Sequence, residues 1–202
     1  MNIFFDLDGT LIDSKMRLYQ LFQYLIPQSL LTYEQYWNLK QQKINHSTIL
    51  KTKLNFSENE VRQFEKKWML LIEQEEWLKY DKPFNNVTSF LISLNKLNNR
   101  LFIVTARQSK INTINQIKSF GWLNLFEEIL VTEQKNEKSE LIKKYLDQDT
   151  QNWIIGDTGK DVETGKKINI KTAAVLSGFL NKDVLIKYNP DKIVNSVIEL
   201  KF

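Results

Sequence analysis

Short runs of bulky apolar residues along this chain alternate with longer segments in which apolar residues recur every three or four positions. The first run, Ile3-Phe4-Phe5, stops abruptly at Asp6. Apolar runs this short and unbroken are typical of buried strands in a parallel sheet. The predicted strands are centred on residues 3–5, 101–104, 129–131, 153–155, 172–176 and 193–194.

Helical periodicity fills most of the intervals between these runs. Residues 18–25 place three leucines and a phenylalanine on one helix face, and Ser57 with Glu60 forms a capping box that begins another helix. No strand pattern is visible between about Ser14 and Pro83. This segment is therefore predicted to be all-helical.

The order of the predicted elements indicates a fold class. Strands that alternate with helices predict right-handed crossovers and a Rossmann-like α/β fold, a parallel sheet with helices on both faces. We predict a core domain of residues 1–14 and 84–202, and an inserted helical cap domain of residues 15–83. Because the insertion follows the carboxyl end of the first strand, the cap is expected above the sheet edge where ligands of such sheets bind.

Composition excludes several kinds of protein. The chain has no cysteine, so disulfide bonds and thiolate metal sites are excluded. No basic segment precedes a long apolar one at the start, and no apolar stretch approaches about 20 residues, so a cytoplasmic protein without a signal peptide or membrane span is expected. The net charge of +4 is spread over scattered lysine pairs, which is typical of solvated helix surface and not of a nucleic-acid site.

Polar side chains follow three of the predicted strands. Asp6 and Asp8 come after the first, Thr105 after the second, and Asp157 after the fourth. Because the carboxyl ends of parallel strands meet at one edge of a sheet, we expect these side chains to converge there. Gly9 allows the chain to turn sharply directly after the two carboxylates.

These polar strand ends also carry a resemblance to a known family. Residues 6–14, D-L-D-G-T-L-I-D-S, resemble the first signature of the haloacid dehalogenase-like superfamily, most of whose members are phosphatases. The V-T-A at 104–106 and the G-D-T-G-K-D at 156–161 follow in the order of the later motifs of that superfamily. The tail T-A-A-V-L-S-G-F at 172–179 is similar to phosphoglycolate phosphatase relatives.

The resemblance implies a hydrolase of small phosphate monoesters that works through an aspartyl phosphate. Asp6 would be the nucleophile, and Asp8 would be the general acid and base. Thr105 would hydrogen-bond a phosphoryl oxygen, with backbone N–H groups of Gly9 and Ala106 beside it. The expected partner is thus a small phosphorylated metabolite.

A lysine and a metal ion complete the implied site. Lys138, which precedes the helix before the fourth strand, is the first choice for the phosphate-binding lysine, with Lys135 as runner-up. Asp6, the Asp8 carbonyl and Asp157 would hold the metal, and Asp161 would be a further ligand or a support. Oxygen ligands without cysteine or clustered histidine favour Mg²⁺.

Charge counting supports a metal independently of the resemblance. The four carboxylates of the site carry −4 when ionised, and a phosphate dianion adds −2. Two like charges ~4 Å apart repel by roughly 4 kcal/mol at an effective dielectric constant of about 20. A site with this much negative charge needs a cation to bind its substrate.

Other functions remain open at this point. A phosphomutase of the same fold and a non-catalytic phosphate-binding protein are the main alternatives, and a dehalogenase is disfavoured because a halide leaving group needs no acid such as Asp8. Arg107 would either reach a substrate anion or pair with a carboxylate. His46, the only histidine, is expected to be a polar surface group. The sequence names neither the substrate nor the oligomeric state.

Overall fold

The computed structural model describes residues 1–202, with eight strands and ten α-helices. The strands are β1 (Asn2–Phe5), β2 (Ile12–Asp13), β3 (Lys82–Pro83), β4 (Arg100–Thr105), β5 (Glu128–Val131), β6 (Asn152–Gly156), β7 (Lys171–Val175) and β8 (Lys192–Val194). The helices are α1 (Lys15–Leu25), α2 (Tyr33–Gln41), α3 (His46–Leu54), α4 (Glu58–Leu71), α5 (Glu75–Leu78), α6 (Val87–Lys96), α7 (Lys110–Ser119), α8 (Lys138–Lys143), α9 (Gly159–Lys167) and α10 (Lys182–Leu185). None of the helices combines the length and apolarity needed to cross a membrane.

Six strands form one parallel sheet in the order β5-β4-β1-β6-β7-β8. This confirms the predicted Rossmann-like α/β fold. Strand β1 lies in the middle of the sheet, where Phe5 is in register with Ile103 of β4 and Ile155 of β6. The residues that follow these three strands therefore lie side by side at one edge.

Apolar side chains alternate between the two faces of the sheet, and both faces are covered. Ile3 and Phe5 belong to the larger core cluster on one face, whereas Phe4 packs on the other face. There the ring of Phe4 stacks on that of Phe102 with 4.7 Å between centroids. Each such side chain contributes roughly 1.5–3 kcal/mol through burial. The sheet is thus a rigid base for residues at its carboxyl edge.

The inserted helices α1–α5 connect β2 to β3 and have an apolar cluster of their own. Phe22 and Tyr36 are fully buried at its centre. The capping boxes at Thr32 and Ser57 begin α2 and α4. Their assignment to a separate domain stays a prediction.

The expectation of no strand between about Ser14 and Pro83 is wrong only at the end of that segment, where Lys82 and Pro83 form β3. Strands β2 and β3 pair antiparallel, with Ile12 opposite Pro83 and Asp13 opposite Lys82. They are the two connections between the sheet and the inserted helices, and they run side by side. A strand of two residues is too short to show an alternation of apolar and polar positions. The pairing of β2 with β3 is therefore visible only once the fold brings these distant segments together.

His46 is not the surface group that the sequence suggested. Its ring is partly buried among the aromatic side chains of the inserted helices, with its centroid 4.2 Å from that of Trp68. Nε2 of His46 and the hydroxyl of Tyr36 are 2.7 Å apart and hydrogen-bonded. The histidine therefore belongs to the packing of α1–α4.

Candidate active site

Three buried polar residues meet at the carboxyl edge of the sheet, as the sequence predicts. Asp6 follows β1, Thr105 ends β4 and Asp157 follows β6, and these strands are neighbours. All three line a cleft of about 940 Å³, together with Asp8, Ala106, Lys138 and Asp161. The inserted segment also contributes to the lining of this cleft, with Arg17, Leu18, Trp68, Met69 and Ile72.

Asp6, Asp157 and Asp161 form a compact carboxylate cluster. One oxygen from each lies within 4.8 Å of the others, and all three residues are buried. Oδ2 of Asp157 accepts a hydrogen bond from the backbone N–H of Phe179 at 2.6 Å, but its buried Oδ1 has no partner. An unpartnered buried carboxylate oxygen is costly unless a cation or a proton occupies its free side.

Lys138 reaches this cluster from the first turn of α8. Its Nζ donates hydrogen bonds to Oδ1 of Asp6 and Oδ1 of Asp161, each at 2.6 Å. Burial alone would lower the pKa of Lys138, but the charges of Asp161 and Asp6 outweigh it and raise the pKa. The runner-up from the sequence, Lys135, lies exposed in the preceding turn.

The raised pKa values of Asp6 and Asp157 indicate that the cluster holds more negative than positive charge. Burial raises the pKa of Asp6 to about 7, even though Lys138 acts in the opposite direction. Burial, followed by the charges of Asp6 and Asp161, raises the pKa of Asp157 well above its usual value. One lysine therefore does not balance three carboxylates. The free Oδ1 of Asp157 and the all-oxygen donor set fit a hard divalent cation such as Mg²⁺.

Asp161 has both oxygens engaged by the protein. Oδ1 accepts from Lys138, and Oδ2 accepts from the backbone N–H of Thr158 at 3.2 Å and from its hydroxyl at 2.6 Å. The contact with Thr158 is the capping box that begins α9. Both oxygens of Asp161 are therefore held by the protein, and Asp161 shares the ammonium group of Lys138 with Asp6.

Two glycines let the backbone approach Asp157 closely. Gly9 has a φ of +83°, and a Cβ added to it would lie 2.4 Å from Oδ2 of Asp157. A Cβ added to Gly178 would lie 2.0 Å from the same oxygen. Both distances are far below contact, so only glycine fits. The role of Gly178 was not predicted, although it lies within the tail motif that carried part of the resemblance.

Asp8 pairs with two arginines. Arg107 donates to it through Nε (2.8 Å to Oδ2) and Nη2 (2.9 Å to Oδ1), and Arg17 also pairs with Oδ1. Burial would raise the pKa of Asp8, but the two guanidinium groups outweigh it and hold the pKa below its ordinary range. Arg107 thus pairs with a carboxylate, one of its two expected roles. Arg17 was missed, although it lies four residues before Leu21, on the buried face of α1.

Comparison with known proteins identifies the family. A sequence profile of the haloacid dehalogenase-like hydrolases matches residues 3–175. The chain belongs to this family. The resemblance noted in the sequence is therefore confirmed, and the chain is a hydrolase by family. Among functionally curated proteins, none matches the sequence.

Solved structures show the same fold as this haloacid dehalogenase-like hydrolase. A candidate phosphatase from Clostridium difficile superposes with a TM-score of 0.80 at 22% identity, over 97% of this chain and 94% of that one. A haloacid dehalogenase-like family hydrolase from Streptococcus pneumoniae gives 0.78 at 21% identity, over 96% and 93%. A predicted phosphoglycolate phosphatase from Haemophilus somnus gives 0.74 at 18% identity, over 96% and 93%.

Family membership relates the carboxylate cluster to metal binding. Members of this family generally use a metal ion, and the buried triad of Asp6, Asp157 and Asp161 could bind one.

Proposed function

We propose that the protein is a Mg²⁺-dependent phosphatase that hydrolyses a small phosphate monoester through an aspartyl phosphate on Asp6. The observation that carries the proposal is the position of Asp6. It is buried at the cleft, 2.6 Å from Lys138 and beside the unpartnered oxygen of Asp157. A nucleophilic carboxylate must stay ionised beside a phosphate, and Lys138 together with a cation bound between Asp6 and Asp157 would provide for that.

The reaction would proceed in two displacements. A carboxylate oxygen of Asp6 attacks phosphorus, and the bond from phosphorus to the alkoxide oxygen breaks. Asp8 would donate a proton to that oxygen from its protonated form, which requires its carboxyl group to leave Arg17 and Arg107. A water molecule then attacks the aspartyl phosphate and gives a proton to Asp8. Inorganic phosphate and the original Asp6 carboxylate are the products of this second step.

The remaining site residues would bind the phosphoryl group and the cation. The hydroxyl of Thr105, the backbone N–H of Ala106, and Lys138 would contact phosphoryl oxygens. The backbone N–H of Gly9, which the sequence also suggested, instead donates to the carbonyl oxygen of Ile12 at 2.8 Å. Asp6, the Asp8 carbonyl and Asp157 would hold Mg²⁺, with Asp161 beside them. When bound, Mg²⁺ would offset the negative charge shared by the carboxylates and the phosphate.

The size and walls of the cleft support a small substrate. A volume of about 940 Å³ lies in the range of metabolite-binding pockets. Trp68, Met69 and Ile72 of the inserted segment line the cleft together with the residues at the edge of the sheet. These helices would exclude water during the first displacement and select the substrate. The predicted phosphatases among the structural neighbours agree with this substrate class.

The test is phosphate release from a panel of phosphorylated metabolites in the presence of Mg²⁺. We expect Asp6→Asn to abolish release, because an amide is not a nucleophile, while Asp183→Asn, at an exposed position of α10, keeps it. Mass spectrometry after acid quenching should locate the phosphate on the peptide that contains Asp6. Turnover that survives Asp6→Asn would defeat the mechanism. Adding a sugar acceptor separates hydrolysis from phosphomutase chemistry.

A further inference from the structure

Four charged residues form a buried ion cluster where the inserted helices meet the sheet. Arg17 and Arg107 both pair with Asp8, and both also pair with Asp81, which lies just before β3. Nε of Arg17 is 3.1 Å from Oδ1 of Asp81, and Nη2 of Arg107 is 3.2 Å from its Oδ2. The side chains of both arginines are only 4% exposed. Two positive and two negative charges thus balance in one place.

The cluster has an anchored half and a half that faces the cleft. Asp81 is fully buried and also accepts a hydrogen bond from Nε2 of Gln116 at 2.9 Å. Gln116 in turn accepts from Nη1 of Arg107 at 2.7 Å. Neither Asp81 nor Gln116 lines the cleft, whereas Asp8, Arg17 and Arg107 do. The two guanidinium groups are therefore fixed from behind, and only their Asp8 side opens to a bound molecule.

Asp8 holds these guanidinium groups with the same carboxylate that the proposed reaction needs. In the first displacement the carboxyl group of Asp8 has to face the bridging oxygen of the ester. It then no longer satisfies the three N–H groups that it accepts from Arg17 and Arg107. Asp81 then remains as the only carboxylate for two buried guanidinium groups, and the N–H groups that lose Asp8 cost free energy unless another anion takes its place. A negatively charged group on the substrate could supply one.

We propose that Arg17 and Arg107 form a second anion-binding subsite, which takes a carboxylate or phosphate group on the leaving-group side of the substrate. The inference rests on the proposed phosphatase function and names its substrate class: monoesters whose alcohol part carries an oxyanion of its own. Guanidinium groups suit both oxyanions, because their paired N–H groups match two oxygens at once. The anion must follow the ester oxygen closely, since it replaces the carboxylate of a residue beside Asp6.

The test compares matched substrates and matched variants in Mg²⁺. The substrates are 2-phosphoglycolate, its neutral amide, and ethane-1,2-diol bisphosphate, with further matched sets built on any better monoester from the metabolite panel. We expect wild-type kcat/KM to be at least about tenfold higher for an anionic member than for the neutral one, as for a charge-assisted hydrogen bond. A comparison of kcat/KM for 2-phosphoglycolate and for ethane-1,2-diol bisphosphate shows which oxyanion is preferred.

Arg17→Gln should reduce this preference to about threefold or less, because the neutral side chain no longer attracts an anion. Lys43→Gln removes another positive charge of the inserted helices at the same cleft, and we expect it to keep the preference. If Arg17→Gln does not fold, Arg17→Lys retains the charge without the planar fork and should show an intermediate preference.

Several outcomes would overturn the inference while the proposed function stands. These are equal kcat/KM for neutral and anionic esters, hydrolysis of neutral esters only, an equal loss on all substrates in Arg17→Gln, or an equal loss of preference in Lys43→Gln. Phosphate release from no ester at all would instead overturn the proposed function, and the inference would fall with it.

Discussion

Lys138 and Asp6 are 132 positions apart in the chain, yet Nζ of the lysine donates a hydrogen bond to Oδ1 of the aspartate at 2.6 Å. The contact joins the first turn of α8 to the end of β1. Because burial raises the pKa of Asp6 to about 7, the ammonium group opposes the main influence that would protonate the proposed nucleophile. Lys138 therefore helps to keep Asp6 reactive.

This relationship predicts different outcomes for two nearby lysines. Lys138→Met should lower kcat/KM for phosphate esters by about 10–100-fold, the loss expected for one charge-assisted hydrogen bond. Lys135→Met, at an exposed position three residues earlier, should change it by no more than about twofold. Steady-state kinetics of both variants with one monoester measure this difference in kcat/KM. Equal losses would show that Lys138 has no special role.

The close packing of Gly178 on Asp157 predicts a link between backbone and cation binding. A Cβ in Gly178→Ala would lie 2.0 Å from Oδ2 of Asp157 and 2.4 Å from its Cβ, so the aspartate has to move. Mg²⁺ at a hundred times its Kd should stabilise the wild type by about 2.7 kcal/mol, which raises Tm by roughly 5–10 °C at this chain length. Gly178→Ala should lose at least half of that rise.

Gly121→Ala is the matched control for this variant. Gly121 has a φ of +73° but nothing within 4 Å of an added Cβ, so the substitution costs stability without touching the site. Its Tm should fall, by the equivalent of about 1 kcal/mol, while its response to Mg²⁺ stays that of the wild type. Differential scanning calorimetry with and without Mg²⁺ measures both effects. A full response in Gly178→Ala would contradict the proposed role of Asp157.

The lowered pKa of His46 predicts that the stability of the protein depends on pH. Burial, and then the charge of Lys40 on α2, keep the pKa of His46 well below 6.5 in the folded protein. The unfolded chain takes up a proton below that pH while the folded chain does not. The free energy of unfolding should therefore be highest above pH 6.5 and fall below it, by up to about 1.4 kcal/mol per pH unit from this residue.

Urea unfolding at about pH 7.5 and about pH 5.5 measures this effect. His46→Gln should lose about 1 kcal/mol less than the wild type between the two pH values. Its absolute stability should also be lower, because the hydroxyl of Tyr36 loses a 2.7 Å partner inside the helices. The same change of stability with pH in both proteins would refute the assignment.

The hydrogen bonds of Glu73 predict that this residue attaches the inserted helices to the sheet and its helices. Its buried carboxylate accepts hydrogen bonds at 2.9 Å from the backbone N–H groups of Gln108 and Ser109, where α7 begins. Glu73→Gln removes the charge that favours this contact. Hydrogen exchange of these two amides should accelerate by about tenfold or more, as for a loss of at least 1.4 kcal/mol. Glu76→Gln, at an exposed position of α5, should leave them unchanged, and equal protection in all three proteins would exclude the attachment.

Much of the site could be predicted because its signals are local. Asp6, Thr105 and Asp157 each end a buried apolar run, and parallel strands bring such ends to one edge. Lys138 was selected because the resemblance implies a lysine at the start of the helix before β6, and the structure places its Nζ 2.6 Å from Oδ1 of Asp6. The motif resemblance added the family, which the sequence profile confirmed.

The partners of Asp8 could not be predicted in this way. Arg17 and Asp81 lie on either side of the inserted helices, and no local pattern pairs them. The contact of Gly178 with Asp157 and the pairing of β2 with β3 are of the same kind. His46 was misjudged because a single polar residue shows its surroundings only when the helices around it are packed.

The amino-acid sequence by itself determined the strands, the helices between them and the polar residues that end them, since these depend on neighbours within a few positions. Only the tertiary structure decided which charges meet. Asp8 is held by Arg17 and Arg107, and Asp6 by Lys138, because folding brings segments tens of residues apart into a buried space where unpaired charges are costly.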